Sequence, residues 1–334
     1  MLNEPAAPTS LYCPLPPAQN PHAYSAGPPL HAWLSHHGLL GDGVRTRLER
    51  SRVVDFVSRA YPDADPIDLE VVLQWTTWAF LADDRADDHL DMRDVDLLDL
   101  SARYESYAVA LESGKSSSLE CAPLTALHTR ILERSSPDCL RRFSSAVRTW
   151  FQALHWEVSN RVHDTPPTLD EYIVMRRKTV GMRTEYSLFE LTHKVHDPYL
   201  FEDPLLDELM DVSSNLIAWA NDIFSVEKEF RHGDPHNLVL LLQSECGHDR
   251  GSAIAVASEM HNGEMDRFLS LERQALGRRT SSVATLRFID MLKCWIRSNV
   301  DWSLRCERYS LGEQAFVLTT VPPPRHSVVQ VRAR

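Results

Sequence analysis

Along most of this chain, apolar residues recur every three or four positions, the spacing that lines one buried face of a helix. "DLEVVLQWTTWAFLADD", "CLRRFSSAVRTWFQALHWEVSNRV", "LDELMDVSSNLIAWANDIFSVEKEF" and "SVATLRFIDMLKCWIRSNVDWSLRCERY" each carry the pattern over several turns. Glycine, proline and small polar residues interrupt it at "ESGKSSSLECAP", "HDTPPT", "HDPYLFEDP" and "RHGDPHN", where loops are expected. Alternating β-branched runs that would mark strands are hard to find. The pattern predicts an all-α protein of about ten helices, with no internal linker long enough to divide it. We place one helical domain over residues 31–312. The first 29 residues hold eight of the 20 prolines, so residues 1–30 read as an extended arm. Residues 313–334, which include "TTVPPPRHSVVQVRAR", read as a loose, proline-interrupted tail.

Composition narrows the function classes. At 334 residues and 43% apolar, the chain can bury a large core. A net charge of -12 with no basic stripe argues against a nucleic-acid surface, so a polyanionic ligand would need a local cationic patch or metal ions. The six cysteines form no CxxC pair, which favours free thiols in a cytoplasmic protein over a disulfide frame or zinc site. No apolar run approaches the roughly 18 residues of a membrane span, and "MLNEPAAPTS" lacks the basic and apolar parts of a signal peptide.

Four stretches carry candidate chemistry. In "FLADDRADDHLD", Asp83, Asp87 and Asp91 share one helix face and Asp84 and Asp88 an adjacent one. Like charges four residues apart destabilise a helix unless a cation offsets them, so this is a solvated face or a site for a hard ion such as Mg²⁺. In "NDIFSVEKE", Asn221, Ser225 and Glu229 project an amide, a hydroxyl and a carboxylate from one face, with Lys228 beside them; alone this could be an ordinary polar face. "MRRKTVGMR" concentrates Arg176, Arg177, Lys178 and Arg183 around Gly181, which interrupts the helix; it is an anion site or a solvated helix stop. "NVDWSLRCERY" ends on Arg308 and Tyr309, both suited to phosphate. Two other signals fail. "SGKSSS" has no preceding strand or leading glycine for a phosphate-binding loop, and "HGDPH" cannot hold its histidines at helical spacing.

Taken together, in this order and in an all-α chain, the four resemble the motifs of bacterial class I terpene synthases. Asp83-Asp84-Arg85-Ala86-Asp87-Asp88 matches that family's aspartate-rich motif, Asn221, Ser225, Lys228 and Glu229 its metal-binding triplet with lysine, and Arg308 and Tyr309 its diphosphate-binding pair. "YIVMRRKTVG" resembles its effector region, which makes Arg177 the diphosphate sensor and Gly181 the effector carbonyl; Val180 falls where relatives can carry an acidic or hydroxyl link. "SRAYPDAD" and "HGDPHNLVLLL" look like further family signatures.

The resemblance implies an antiparallel helical bundle with two metal motifs facing each other across the mouth of a deep cavity, three Mg²⁺ ions, a prenyl diphosphate substrate and a homodimer. Asp83 and the triplet are the implied metal ligands, with Asp84 and Asp87 in the same motif. Ionising a diphosphate requires its developing charge to be neutralised, and the carbocation left behind requires a dry cavity whose walls do not react. Aromatic faces can supply such walls. Phe80 and Trp302 are the preferred cavity aromatics, with Phe56, Trp75, Trp78, Trp156 and Trp219 behind them; each could equally be core.

The expected activity is cyclisation of farnesyl diphosphate to a terpene hydrocarbon or alcohol, with geranylgeranyl diphosphate the alternative substrate. A chain-elongating prenyltransferase would carry a second aspartate-rich motif in place of "NDIFSVEKE". A non-catalytic helical binding protein is the rival from another class.

Overall fold

The computed structural model describes residues 9–41, 43–88, 95–116, 118–278, 282–306 and 316–322, with the side chains of α4 described as far as Asp83. The helices are α1 (Ala23–His36), α2 (Val44–Ser51), α3 (Val53–Ala60), α4 (Pro66–Asp88), α5 (Leu97–Ser113), α6 (Ala122–Arg134), α7 (Pro137–His163), α8 (Leu169–Thr179), α9 (Met182–Ser187), α10 (Phe189–His193), α11 (Pro204–His232), α12 (Leu238–Cys246), α13 (Arg250–Leu276) and α14 (Val283–Ser303). Two short strands, β1 (Thr9–Tyr12) and β2 (Phe316–Thr319), and two single 3-10 turns, Leu119–Cys121 and Leu200–Glu202, complete the described elements.

Helix ends follow the local chemistry of the sequence. Ser136, Thr168, Asp203, Asn237, Asp249 and Ser282 each accept a backbone N–H of the first turn of the helix that follows, and Pro137 and Pro204 occupy first-turn positions where no N–H partner is needed. Between these caps the apolar faces fuse into one core. Long α11 is its axis, packed against α13, α14 and α8, while α7 joins α5 to α9, and α3 bridges α4 and α14. No described helix is long and apolar enough to cross a membrane.

The structure revises both chain ends. The arm is not wholly extended: α1 begins at Ala23 and contains Pro28 and Pro29. Ala26, Leu30 and Leu34, one turn apart, bury against the bundle, and that burial holds the helix although the prolines delete two of its hydrogen bonds. Nor is the tail loose throughout. β2 pairs in parallel with β1, Thr9 opposite Phe316 and Tyr12 opposite Thr319, and the Cys13 N–H extends the ladder to the Thr319 carbonyl. Asn262 of α13 fastens the outer edge of β1, accepting the Tyr12 N–H at 2.7 Å and donating to the Ser10 carbonyl at 3.1 Å.

Candidate active site

Five long helices turn one stripe each toward a common cavity. On α4 the stripe is Thr76, Phe80 and Asp83; on α14 it is Trp295, Asn299 and Trp302; on α7 it is Trp150, Glu157 and Arg161. α11 contributes Ile217, Asn221, Lys228 and Glu229, and α8 contributes Arg176 and Thr179. These spacings of three, four and seven are the same periodicity that builds the core, carried to where apolar residues give way to charged ones. The cavity measures about 190 Å³. That exceeds the roughly 150 Å³ in which an engineered apolar cavity holds benzene and stays dry, so a bulky hydrocarbon group fits.

Its deep wall is aromatic. Phe56 stacks on Trp302 at 4.8 Å between ring centroids and on Phe80 at 6.1 Å, while Trp295 meets Phe56 edge-on at 5.3 Å. The Trp302 indole N–H donates to the Ser51 carbonyl, which fixes its ring. Phe80 and Trp302 thus line the cavity as the sequence suggested, and Phe56 and Trp75 line it with them. Trp78, Trp156 and Trp219 are not among the lining residues, whereas Trp150 and Trp295, which the sequence did not single out, are.

The mouth is charged. Asp83, Glu157, Glu229 and Asp234 face Arg161, Arg176 and Lys228. Arg161 pairs with Asp234 at 2.7 Å, and Arg176 reaches buried Asp222 at 2.9 Å and the Asn221 amide oxygen at 3.0 Å. Burial alone would raise the Asp234 carboxyl, but the His236 hydrogen bond and the Arg161 charge hold it well below the usual carboxylate range. Glu229 goes the other way. Burial, then the charges of Asp222 and Asp234, push its carboxyl up to about 8, although Asn237 donates to it at 2.6 Å. Burial likewise raises Glu157. Such crowding of carboxyl groups is relieved by a bound cation.

Asn221, Ser225 and Glu229 follow one another at single-turn intervals on α11, the first and last lining the cavity and the second buried between them. The Ser225 hydroxyl has no hydrogen-bond partner among the described residues. Of the other buried helical serines, Ser214 donates to the Met210 carbonyl and Ser258 to the Ile254 carbonyl, both at 2.8 Å, whereas Ser58, Ser144 and Ser303 also lack a partner among the described residues; Ser225 differs from those three in standing between two cavity-lining oxygen donors. An orphaned hydroxyl between an amide and a carboxylate is a set of hard oxygen donors that fits Mg²⁺. Among the described residues no three His, Cys, Asp or Glu side chains form a metal cluster, since two of these three donors are neutral. The side chains of Asp84, Asp87 and Asp88, and Asp91, Arg308 and Tyr309, lie outside the described residues.

The basic stretch breaks as expected but points differently. α8 ends at Thr179, Gly181 adopts φ +74°, and α9 restarts at Met182. A β-carbon at Gly181 would sit 3.2 Å from the Trp150 indole nitrogen, so glycine is required by space as well as by backbone. The Gly181 carbonyl accepts both the N–H of Thr184, at 3.0 Å, and its hydroxyl, at 2.7 Å. Arg177 does not line the cavity. Its guanidinium donates to Asn215 at 2.8 Å and approaches Asp211 at 3.6 Å, facing an outer groove. Arg176, its neighbour, is the arginine at the mouth. The sequence held a signal for this: Tyr172, one turn earlier on the same face, is buried and donates to Asp222 at 2.5 Å. Asp222 and Asn237 were also missed; the Asn237 amide donates to the Asp222 carbonyl at 2.8 Å, tying the start of α12 to α11.

Comparison with known proteins agrees with this geometry. The family model described as terpene synthase family 2, C-terminal metal binding, matches residues 74–267. A (+)-T-muurolol synthase from Roseiflexus castenholzii, described as cyclising (2E,6E)-farnesyl diphosphate, is 32% identical over 90% of this chain and 93% of its own. A germacrene A synthase from Nostoc punctiforme is 28% identical over 90% and 94%. Among solved structures, an SVS_A2 variant from ancestral sequence reconstruction superposes with a TM-score of 0.83 over 95% of this chain and 92% of that one at 23% identity, and germacradien-4-ol synthase from Streptomyces citricolor with 0.76 over 88% and 98% at 21%. At those identities the structural likeness speaks to the fold. With the family match spanning α11 and most of the cavity, this chain belongs to the terpene synthase family.

Proposed function

We propose that this protein ionises farnesyl diphosphate and cyclises the resulting carbocation to a terpene hydrocarbon or alcohol, releasing diphosphate. The observation that carries the reading is the junction inside one cavity: a stacked Phe56, Phe80 and Trp302 wall directly below a mouth with an orphaned Ser225 hydroxyl, a raised Glu229 carboxyl and Arg176. Relatives described as cyclising (2E,6E)-farnesyl diphosphate support that substrate.

Asp83 from α4 and Asn221, Ser225 and Glu229 from α11 would hold Mg²⁺, three ions by family resemblance, with Asp84 and Asp87 as further donors. The chemistry such ions supply is neutralisation of the charge that builds on the departing diphosphate oxygens. Arg176 and Lys228 complement that charge from the protein, with Arg308 and Tyr309 assigned to the same task. Ionisation separates charge, diphosphate at the mouth and carbocation below. The aromatic faces stabilise the cation by about 2 kcal/mol each when water is excluded, and present no lone pair to trap it. The Gly181 carbonyl, at the α8–α9 break, is assigned to polarise the substrate during ionisation. A homodimer is the expected assembly.

The test is incubation with Mg²⁺ and, separately, geranyl, farnesyl and geranylgeranyl diphosphate, followed by mass spectrometry of the extracted hydrocarbons. A cyclic product from farnesyl diphosphate supports the reading, and one from geranylgeranyl diphosphate alone moves it to the longer substrate. Elongated linear diphosphates made only when isopentenyl diphosphate is added would overturn cyclisation.

A further inference from the structure

One cavity-lining acid has no part in holding metal or diphosphate. Glu185 lies on α9, one turn beyond Gly181, and is buried. Its carboxylate oxygens meet two hydroxyls: Tyr61 Oη at 2.9 Å from Oε2 and Thr76 Oγ1 at 3.0 Å from Oε1. Thr76 precedes Asp83 by two turns of α4, which sets Glu185 about 10 Å deeper than the mouth, among Phe56, Trp75 and Trp295. It therefore faces the hydrocarbon part of a bound prenyl chain.

Each of the two hydroxyls has one proton and a choice of two acceptors. Tyr61 Oη is also 3.0 Å from the Glu185 carbonyl, and Thr76 Oγ1 is 2.9 Å from the Val72 carbonyl. Neither carbonyl depends on these donors: the Leu188 N–H reaches the first at 3.2 Å, and the second belongs to the α4 ladder. Two proton arrangements therefore fit one set of heavy-atom positions. With Glu185 neutral, the carboxyl O–H donates to one hydroxyl oxygen, whose own proton goes to its carbonyl, while the other hydroxyl donates to the carboxyl C=O. With Glu185 ionised, both O–H bonds rotate toward the carboxylate. Burial pushes this carboxyl up to about 7 against the lowering effect of its hydrogen bonds, so both forms are accessible near neutral pH.

Resting on the proposed cyclisation, we infer that Glu185 is a catalytic residue that transfers protons to and from the hydrocarbon midway through the reaction. The bookkeeping closes. The first carbocation loses a proton to the departing diphosphate, the net stoichiometry of hydrocarbon formation, and leaves a neutral cyclic alkene. The Glu185 O–H bond breaks as an alkene π pair forms a new C–H bond, which regenerates a carbocation and leaves a carboxylate. At the end a C–H bond beside the cationic carbon yields its proton to that carboxylate, and its electron pair becomes the final double bond. The enzyme returns to its starting state.

The test uses the whole enzyme equilibrated in D₂O and a single turnover of farnesyl diphosphate. The wild-type product is expected to carry one non-exchangeable deuterium. Glu185→Gln keeps the shape and the hydrogen bonds; it is expected to release diphosphate within about threefold of the wild-type rate while delivering an undeuterated isomer with fewer rings. Glu185→Asp, which retains the acid, is expected to restore part of the wild-type product together with its label. A wild-type product without deuterium, or an unchanged product from Glu185→Gln, overturns the inference while leaving cyclisation intact. Failure of the wild type to turn over any prenyl diphosphate would instead remove the reading on which it rests.

Discussion

Arg176 and Arg177 are consecutive in sequence and end in opposite surroundings. Arg176 stands at the mouth of the cavity, and Arg177 in an outer groove with Arg142, Lys178 and Arg183. The groove is the larger space, about 670 Å³ against about 190 Å³, and the richer in basic side chains. Yet three of its cations have carboxylate partners: Arg183 has Asp207 at 2.6 Å and Asp211 at 2.5 Å, Arg142 has Glu190 at 3.2 Å, and Arg177 has Asp211 at 3.6 Å. Each space holds a buried polar atom without a partner among the described residues, Arg142 Nε in the groove and Asn299 Oδ1 in the cavity; what sets the cavity apart is its carboxyls raised by burial, Glu157, Glu185 and Glu229. Volume and basic residues alone would have chosen the groove. Buried carboxyls raised above their usual range choose the cavity.

Variants sharpen this contrast. The largest effect is expected for Asn221→Ala, which removes a proposed metal donor and an Arg176 partner: kcat falls on the order of a hundred- to a thousandfold, measured by diphosphate release, with the helical circular dichroism unchanged. The matched groove change, Arg183→Ala, is expected to leave turnover unaltered. If both variants lose activity alike, the contrast fails.

The adjacent arginines form the second pair. Arg176→Ala leaves Asp222 buried without its charge partner and is expected to cost about 3–5 kcal/mol of stability, whereas Arg177→Ala, at a partly exposed pair, costs about 1 kcal/mol or less. Denaturant midpoints compare them directly. Equal losses would mean that the two environments do not differ energetically.

Third is the pH dependence set by Glu185. Its folded-state carboxyl lies above the usual 4.5, at about 7, so the protonated folded form is favoured. That contribution is fully present below pH 4.5 and is lost as pH rises toward 7. Glu185→Gln removes the dependence. Its stability advantage over wild type is expected to grow from near zero at pH 4.5 to about 3 kcal/mol above pH 7, read from denaturant unfolding across that range. A flat difference would place the Glu185 carboxyl in a wetter setting.

The smallest effect is expected at the aromatic wall. Phe80→Leu keeps apolar volume and loses the ring face, so turnover slows roughly tenfold and the product distribution shifts, as gas chromatography would show. Unchanged rate and products would leave Phe80 as packing.

Much of this was legible in the sequence because the signals are local. Helices, their caps and the breaks at "HDTPPT" and "RHGDPHN" follow from periodicity and turn chemistry, and the fixed order of "DDRADD" and "NDIFSVEKE" carries the family resemblance. What escaped depends on distant partners. A helix turns about 100° per residue, so whether Arg176 or Arg177 faces inward is decided by how α8 packs against α11, not by composition. The pairing of β1 with β2 joins four-residue segments from opposite ends of the chain, too short for a period to register. Helix α1 keeps two prolines because Ala26, Leu30 and Leu34 find a core that no local rule could supply. The network around Glu185 joins Tyr61 beyond α3, Thr76 on α4 and Glu185 on α9, residues as much as 124 positions apart.

The central claim is that the charged mouth and the aromatic wall act on one molecule, a prenyl diphosphate, through a metal-dependent ionisation. The most direct measurement is product formation from farnesyl diphosphate by the wild type and by Asn221→Ala, each with Mg²⁺ and with a chelator. The account predicts a cyclic fifteen-carbon product from the wild type with Mg²⁺ and essentially none in the other three conditions. Equal product with chelator present, or undiminished product from Asn221→Ala, would contradict it.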